Sequence, residues 1–233
     1  MTPAGRTIAP ALALLTLALF GCAADTPTPA APTASATQEP STTPTAESDL
    51  TVASLVVSID SVSTLNAAGE VLQSVPFDSN PEAAVALLTT AFGSEPTIHQ
   101  EPGGCWDDDG NTQWSWGDQA DVSIFSAVTP ASRATWRSEN DFYLRVHVAE
   151  LAGVDIETDS GVSVADSAAA LFAELPASQV FATSGEGSFV GITDIGGTYD
   201  EGGTTGYWGV AVERRGESIA VIAAPAGFLD FWC

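Results

Sequence analysis

Apolar and polar positions divide the chain into three stretches. The first is an unbroken apolar run of about thirteen residues, Ile8 to Phe20, rich in Ala and Leu. It falls short of the roughly twenty residues needed to cross a bilayer. The second, Ala23 to about Ser48, has no apolar period at all, only Thr, Pro, Ala and Ser with scattered acids. The third, from Asp49 onward, alternates. Leu55, Val57 and Ile59 face away from Val56, Ser58 and Asp60, which predicts a strand continuing towards Leu65. A turn at Asn66-Ala67-Ala68-Gly69 and a return strand from Glu70 to Val75 complete a predicted hairpin.

The period then changes to that of a helix. Asn80 offers a cap, Pro81 suits the first helical position, and Glu82 favours the positive helix end. Ala84, Val85, Leu87, Leu88, Ala91 and Phe92 make one apolar face, and Gly93 stops the run. Gln113–Trp116 and Val122–Phe125 read as antiparallel strands joined by a tight turn. A second series follows: a strand through Phe142, Leu144, Val146 and Val148, then a helix over Ala168–Leu175 with Asp166 as N-cap and Pro176 as terminator. Trp208–Val212, the turn Arg214-Arg215-Gly216 and Ile219–Ala223 predict a closing hairpin, while the glycine-rich insert Gly185–Gly206 predicts a surface loop.

The fold class is therefore α+β, antiparallel sheet with two helices, arranged as two tandem β-β-α-β-β units over residues 49–130 and 131–233 and packed as one globular domain. The offset between the units is about ninety residues, which fits an internal duplication, while the slight identity between the halves fits chance similarity equally well. From Leu55 to Ala223 this element order resembles the tandem helix-plus-sheet repeats of β-lactamase inhibitor protein-like modules. No diagnostic motif accompanies the resemblance, so it implies an architecture and no functional residue.

The first apolar run ends on Leu19-Phe20-Gly21-Cys22, preceded by a short segment charged at Arg6. These residues resemble the lipobox of bacterial lipoproteins, with Phe20 departing from the usual small or branched residue. The resemblance implies that residues 1–21 are a cleaved signal peptide and that the Cys22 thiol carries a diacylglyceryl group. The mature protein is then held on the extracytoplasmic face of the cell membrane by two acyl chains, enough for stable anchoring. Residues 22–48 become a disordered linker. Its reach lies between about 30 Å as a flexible coil and about 80 Å as polyproline II.

Charge and cysteine count sharpen this picture. There is no lysine, and loss of the signal peptide removes Arg6 but none of the 30 acids, leaving five arginines and a net charge of −25. Such a surface repels phosphate backbones, which excludes nucleic acid as a partner. With Cys22 lipidated, Cys105 and Cys233 remain, and an oxidising compartment favours their pairing as a disulfide. That bond would clamp the C-terminus and contribute about 4–5 kcal/mol by chain entropy.

Absence of lysine removes P-loop, Schiff-base and Ser-x-x-Lys chemistry, and no Gly-x-Ser-x-Gly elbow occurs. The two histidines are His99 and His147, the latter on a strand face with Tyr143 and Arg145. The acidic turn Asp107-Asp108-Asp109-Gly110-Asn111 fails as an EF-hand, because Cys105 and Trp116 would fall at its ligating ends. No His/Cys cluster has zinc spacing, so no catalytic, metal or cofactor site is assigned. The remaining candidate is aromatic. Trp106, Trp114, Trp116, Tyr199, Tyr207 and Trp208 cluster near polar turns, a composition suited either to covering the sheet or to contacting a protein or glycan. The expected function is a non-enzymatic binding module bound to the membrane by its anchor, with an envelope protein or glycan as partner. The alternative is a cell-envelope hydrolase, which needs His147 or a carboxylate pair in a cleft.

Overall fold

A computed structural model describes residues 50–101, 111–126, 141–182, 188–201 and 204–227. In chain order the strands are β1 Ser54–Val57, β2 Ser61–Leu65 and β3 Val71–Pro76, then helix α1 Pro81–Phe92. Strands β4 Thr97–Glu101, β5 Asn111–Trp116, β6 Val122–Ser126, β7 Phe142–Val146, β8 Glu150–Leu151 and β9 Val154–Thr158 follow. Helix α2 Ala168–Glu174 precedes β10 Val180–Ala182, β11 Ser188–Glu201, β12 Thr204–Arg215 and β13 Ser218–Gly227. The class is α+β.

Two sheets carry the fold. The smaller has order β3-β2-β1-β9-β8, and the larger β10-β11-β12-β13-β7-β6-β5-β4. Every pairing in the larger sheet is antiparallel. The smaller contains one parallel pair, β1 with β9, which sets Ser54 opposite Asp155. Both sheets thus draw strands from either side of residue 130. One cluster fills the space between the elements: Leu55, Val57 and Ile156 from the smaller sheet, Ile124, Leu144, Val212 and Ile222 from the larger, Leu87 and Leu88 from α1. Each such side chain, fully buried, contributes about 1.5–3 kcal/mol. A second, smaller cluster of Val190, Ile192, Ala211, Ala223 and Ala226, with Phe181 and Tyr207 against it, lies apart from the first.

Local chemistry explains where elements begin and end. The strand predicted to run from Leu55 to Leu65 is instead two strands. The Ser58 hydroxyl oxygen accepts from the Ser61 N–H at 3.0 Å, and this turn folds β2 back onto β1. Small hydroxyl side chains offer the backbone such an alternative to the sheet ladder. At the next turn Asn66 Oδ1 accepts from the N–H groups of Ala68 and Glu70 at 3.0 and 2.9 Å, and Gly69 takes φ 79°. Helix α1 has both predicted ends. Asn80 Oδ1 accepts from the Glu82 N–H at 3.0 Å, and Gly93 at φ 64° donates to the Thr89 carbonyl.

Two expectations are corrected. Asp166 does not cap α2: its Oδ2 accepts from the Ser163 N–H at 2.7 Å, one turn early, and Ser167 occupies the cap position without a side-chain bond. The glycine-rich insert is no loop. Most of it is β11, a strand of 14 residues paired with β12 along its length. Its glycines serve close packing: a Cβ on Gly191 would lie 2.5 Å from Leu175 Cδ1, where the end of α2 crosses the strand.

Candidate functional site: a cleft beside Trp208

The aromatic residues separate into different environments. Trp114 and Trp116 share a strand face, and that face points into the core. Trp116 is only 2 % exposed, its Nε1–H donates to the Ser94 carbonyl at 3.0 Å, and Phe92 meets its ring edge-on at 6.1 Å. Trp114 packs, partly buried, against the same core. A surface patch through Trp116 is therefore ruled out by burial. Tyr207 packs on the smaller cluster. The backbone of Tyr199 pairs with that of Gly206. Trp106, Cys105, Cys233 and Cys22 lie outside the described residues, as do Asp107–Gly110.

Trp208 stands on β12, two residues before the buried Val210, and is only partly covered. Its indole lies against the backbone of Gly196 and Gly197. A Cβ on Gly196 would sit 2.4 Å from Trp208 Cζ3, and one on Gly197 would sit 2.6 Å from its Nε1. This seat depends on irregular pairing. Along β11 the register steps by two residues against one on β12 between Ile192 and Asp194, and again between Ile195 and Gly197. Bulges of this kind bend a strand and re-aim side chains. Gly209, opposite Ile195, completes the arrangement: a Cβ there would fall 1.8 Å from the Asp194 carbonyl oxygen. The bulge is pinned by Thr193, whose hydroxyl donates to the Val210 carbonyl at 3.1 Å, and by Ser160, which donates to Asp194 Oδ2 at 3.0 Å.

The indole forms one wall of a cleft of about 510 Å³. Among the described residues, Ile59 and Asp60 of the β1–β2 turn, Ser61 of β2, Ser74 and Pro76 of β3, and Asp78 line the rest. Hydrogen bonds hold this rim in place. Asp60 Oδ1 accepts from the hydroxyls of Ser58 and Ser61 at 2.8 and 3.1 Å. The Phe77 N–H donates to the Asp60 carbonyl at 2.9 Å, which brings the neighbouring Asp78 to the same rim. Phe77 itself is fully buried, with its ring centroid 5.1 Å from that of Phe142. The rim is thus bolted to the core, a requirement for a preformed site.

His147 occupies a different place. It follows β7, and its N–H donates to the Asp121 carbonyl at 2.7 Å. Partial burial of the ring, then the guanidinium groups of Arg145 and Arg215, push its pKa below the ordinary value of 6.5, against the opposing pull of Glu213 and Asp121. Both Glu213 oxygens accept from Arg215, at 2.8 and 3.1 Å, so this carboxylate is committed to its own ion pair. That pairing raises the Arg215 pKa further. Among the described residues, no group of three or more His, Cys, Asp or Glu side chains is placed to hold a metal ion, and no helix is long and apolar enough to cross a membrane.

No protein-family model, no curated protein and no solved structure matches this chain.

Proposed function

We propose that this chain is a lipid-anchored extracytoplasmic module that binds an envelope component through the Trp208 cleft. The observation that carries the binding reading is an indole held against two glycines, facing a rim of two carboxylates and two hydroxyls. Half-buried aromatic rings beside convergent polar groups are the usual makeup of a ligand site. Anchoring rests on the sequence Leu19-Phe20-Gly21-Cys22 and on the Thr/Pro-rich spacer that follows it. Substituting Trp208→Ala in a protein that also carries Cys22→Ser, so that no acyl chain holds it, tests the binding reading: retention on isolated cell-envelope material is expected to fall while the fold persists. Undiminished retention refutes it. Substituting Cys22→Ser tests the anchor by fractionation, with release from the membrane expected and firm membrane partition contrary to it. The hydrolase alternative has less support, because His147 is not among the residues lining the cleft and, of the two acids that act on its ring, Glu213 is taken by Arg215.

We also infer that the halves 49–130 and 131–233 derive from one duplicated unit. In support, among the described residues three strands precede a helix in each half, and the helices start at Pro81 and Ala168. Among the described residues, three strands follow the first helix and four the second. The Cys105–Cys233 disulfide remains part of the proposal. Free thiols detected by labelling the unreduced native protein would count against it.

A further inference from the structure

We propose that the Trp208 cleft recognises a small organic cation, an alkylammonium or quaternary ammonium group. The inference rests on the reading of this cleft as a binding site and names the ligand chemistry.

Three features of the lining converge. Among the described residues, the charged side chains on it are Asp60 and Asp78, both acidic, both exposed at the rim. The aromatic member is a tryptophan, the ring with the strongest attraction for a cation over its face. The apolar members, Ile59 and Pro76, suit the methyl or methylene groups that surround such a charge. An anion meets two like charges here, and a neutral sugar gains nothing from the carboxylate pair beyond hydrogen bonds. A cation gains the ring and both carboxylates together. At about 510 Å³ the cleft matches a small molecule or a single charged side group.

The rest of the molecule favours the same ligand. With 30 acids against six arginines and no lysine, the surface field concentrates cations around the protein. The Asp60 carboxylate does not need to rearrange to receive one, because its Oδ1 is already fixed by Ser58 and Ser61. The indole is likewise positioned in advance by the glycine backbone beneath it. Preorganisation of both partners lowers the ordering cost of binding.

The test uses full-length protein labelled with ¹⁵N, with the Trp208 indole resonance assigned by its disappearance in Trp208→Phe. Tetramethylammonium chloride, n-butylammonium chloride and the uncharged alcohol 3,3-dimethyl-1-butanol are titrated separately at constant ionic strength. A saturable shift of the Trp208 indole peak is expected with both cations. The alcohol should bind about tenfold more weakly, the factor that corresponds to about 1.4 kcal/mol. Asp78→Asn should weaken the cations several-fold and leave the alcohol unchanged. Asp60→Asn provides the same check from the other side of the rim, with an unaltered spectrum elsewhere confirming its fold. Equal response to cation and alcohol keeps the cleft as a binding site but overturns the cation preference. No saturable response to any of the three overturns the cation proposal, while loss of envelope retention on adding Trp208→Ala to the Cys22→Ser protein would still uphold the cleft.

Discussion

Trp116 and Trp208 are the same residue in two opposite roles. Trp116 lies between α1 and the larger sheet, with its one polar atom bonded to the Ser94 carbonyl and its ring edge against Phe92. Trp208 has a glycine backbone on one side and a cleft with acidic walls beside it. Nothing in the side chain decides between these fates. Three local features do: whether the strand is regular, whether the neighbours carry Cβ atoms, and whether polar turns from the other sheet reach the ring. Strand β5 pairs with β4 and β6 without a register shift, so its tryptophans follow the pleat into the core. Strand β11 bulges twice where it passes β12, and the indole there rests on the gap that Gly196 and Gly197 leave.

The contrast can be broken at several points. Trp116→Ala should have the largest effect on stability, about 3–5 kcal/mol, because it opens a cavity in the core and removes the bond to the Ser94 carbonyl. Urea unfolding measures it, and a loss below about 1 kcal/mol would place Trp116 outside the core. Gly209→Ala comes next. Its Cβ cannot coexist with the Asp194 carbonyl, so the β11–β12 ribbon must shift, at about 1–3 kcal/mol, and the Trp208 resonance should move even without ligand. Trp208→Ala should cost only about 1–2 kcal/mol, since the ring is partly in water already, yet abolish binding at the cleft. A loss as large as that of Trp116→Ala would make Trp208 a core residue and erase the distinction.

The smallest effect concerns His147. Its folded pKa lies below the unfolded value of 6.5, so the unfolded chain takes up this proton first as pH falls. Native stability is therefore lost as pH drops from about 6.5 through the lower folded value. His147→Gln should flatten the stability-against-pH curve within that window and leave it unchanged above. An identical slope in both proteins would show that neither burial nor the charges of Arg145 and Arg215 lower the imidazole's affinity for a proton.

What was legible in the sequence was local. The ends of α1 depend on Asn80, Pro81 and Gly93 alone, each acting within one turn, and they stand where the sequence places them. The hairpin of β12 and β13 is equally local, its reversal marked by Gly216 at φ 63°. The β1–β9 pair was not legible, since it joins segments about a hundred residues apart with no turn between them to report it. Glycine was the most misleading signal. In β11 it marks close approach of α2 and of Trp208, yet in sequence the same residues look like a flexible loop. Alternation correctly set Trp114 and Trp116 on one face, but a period of two cannot say which face is the inner one. The cleft was hidden for a related reason: Asp60 and Asp78 sit in turns, and Trp208 reaches them from the other sheet.

One titration tests the central contrast most directly. Tetramethylammonium is added to ¹⁵N-labelled full-length protein while the indole peaks of Trp116 and Trp208 are followed in the same spectra. The Trp208 peak should move and saturate while that of Trp116 stays fixed. A Trp116 peak that moves with it, or a Trp208 peak that never saturates, would contradict the division between a structural and a ligand-facing tryptophan.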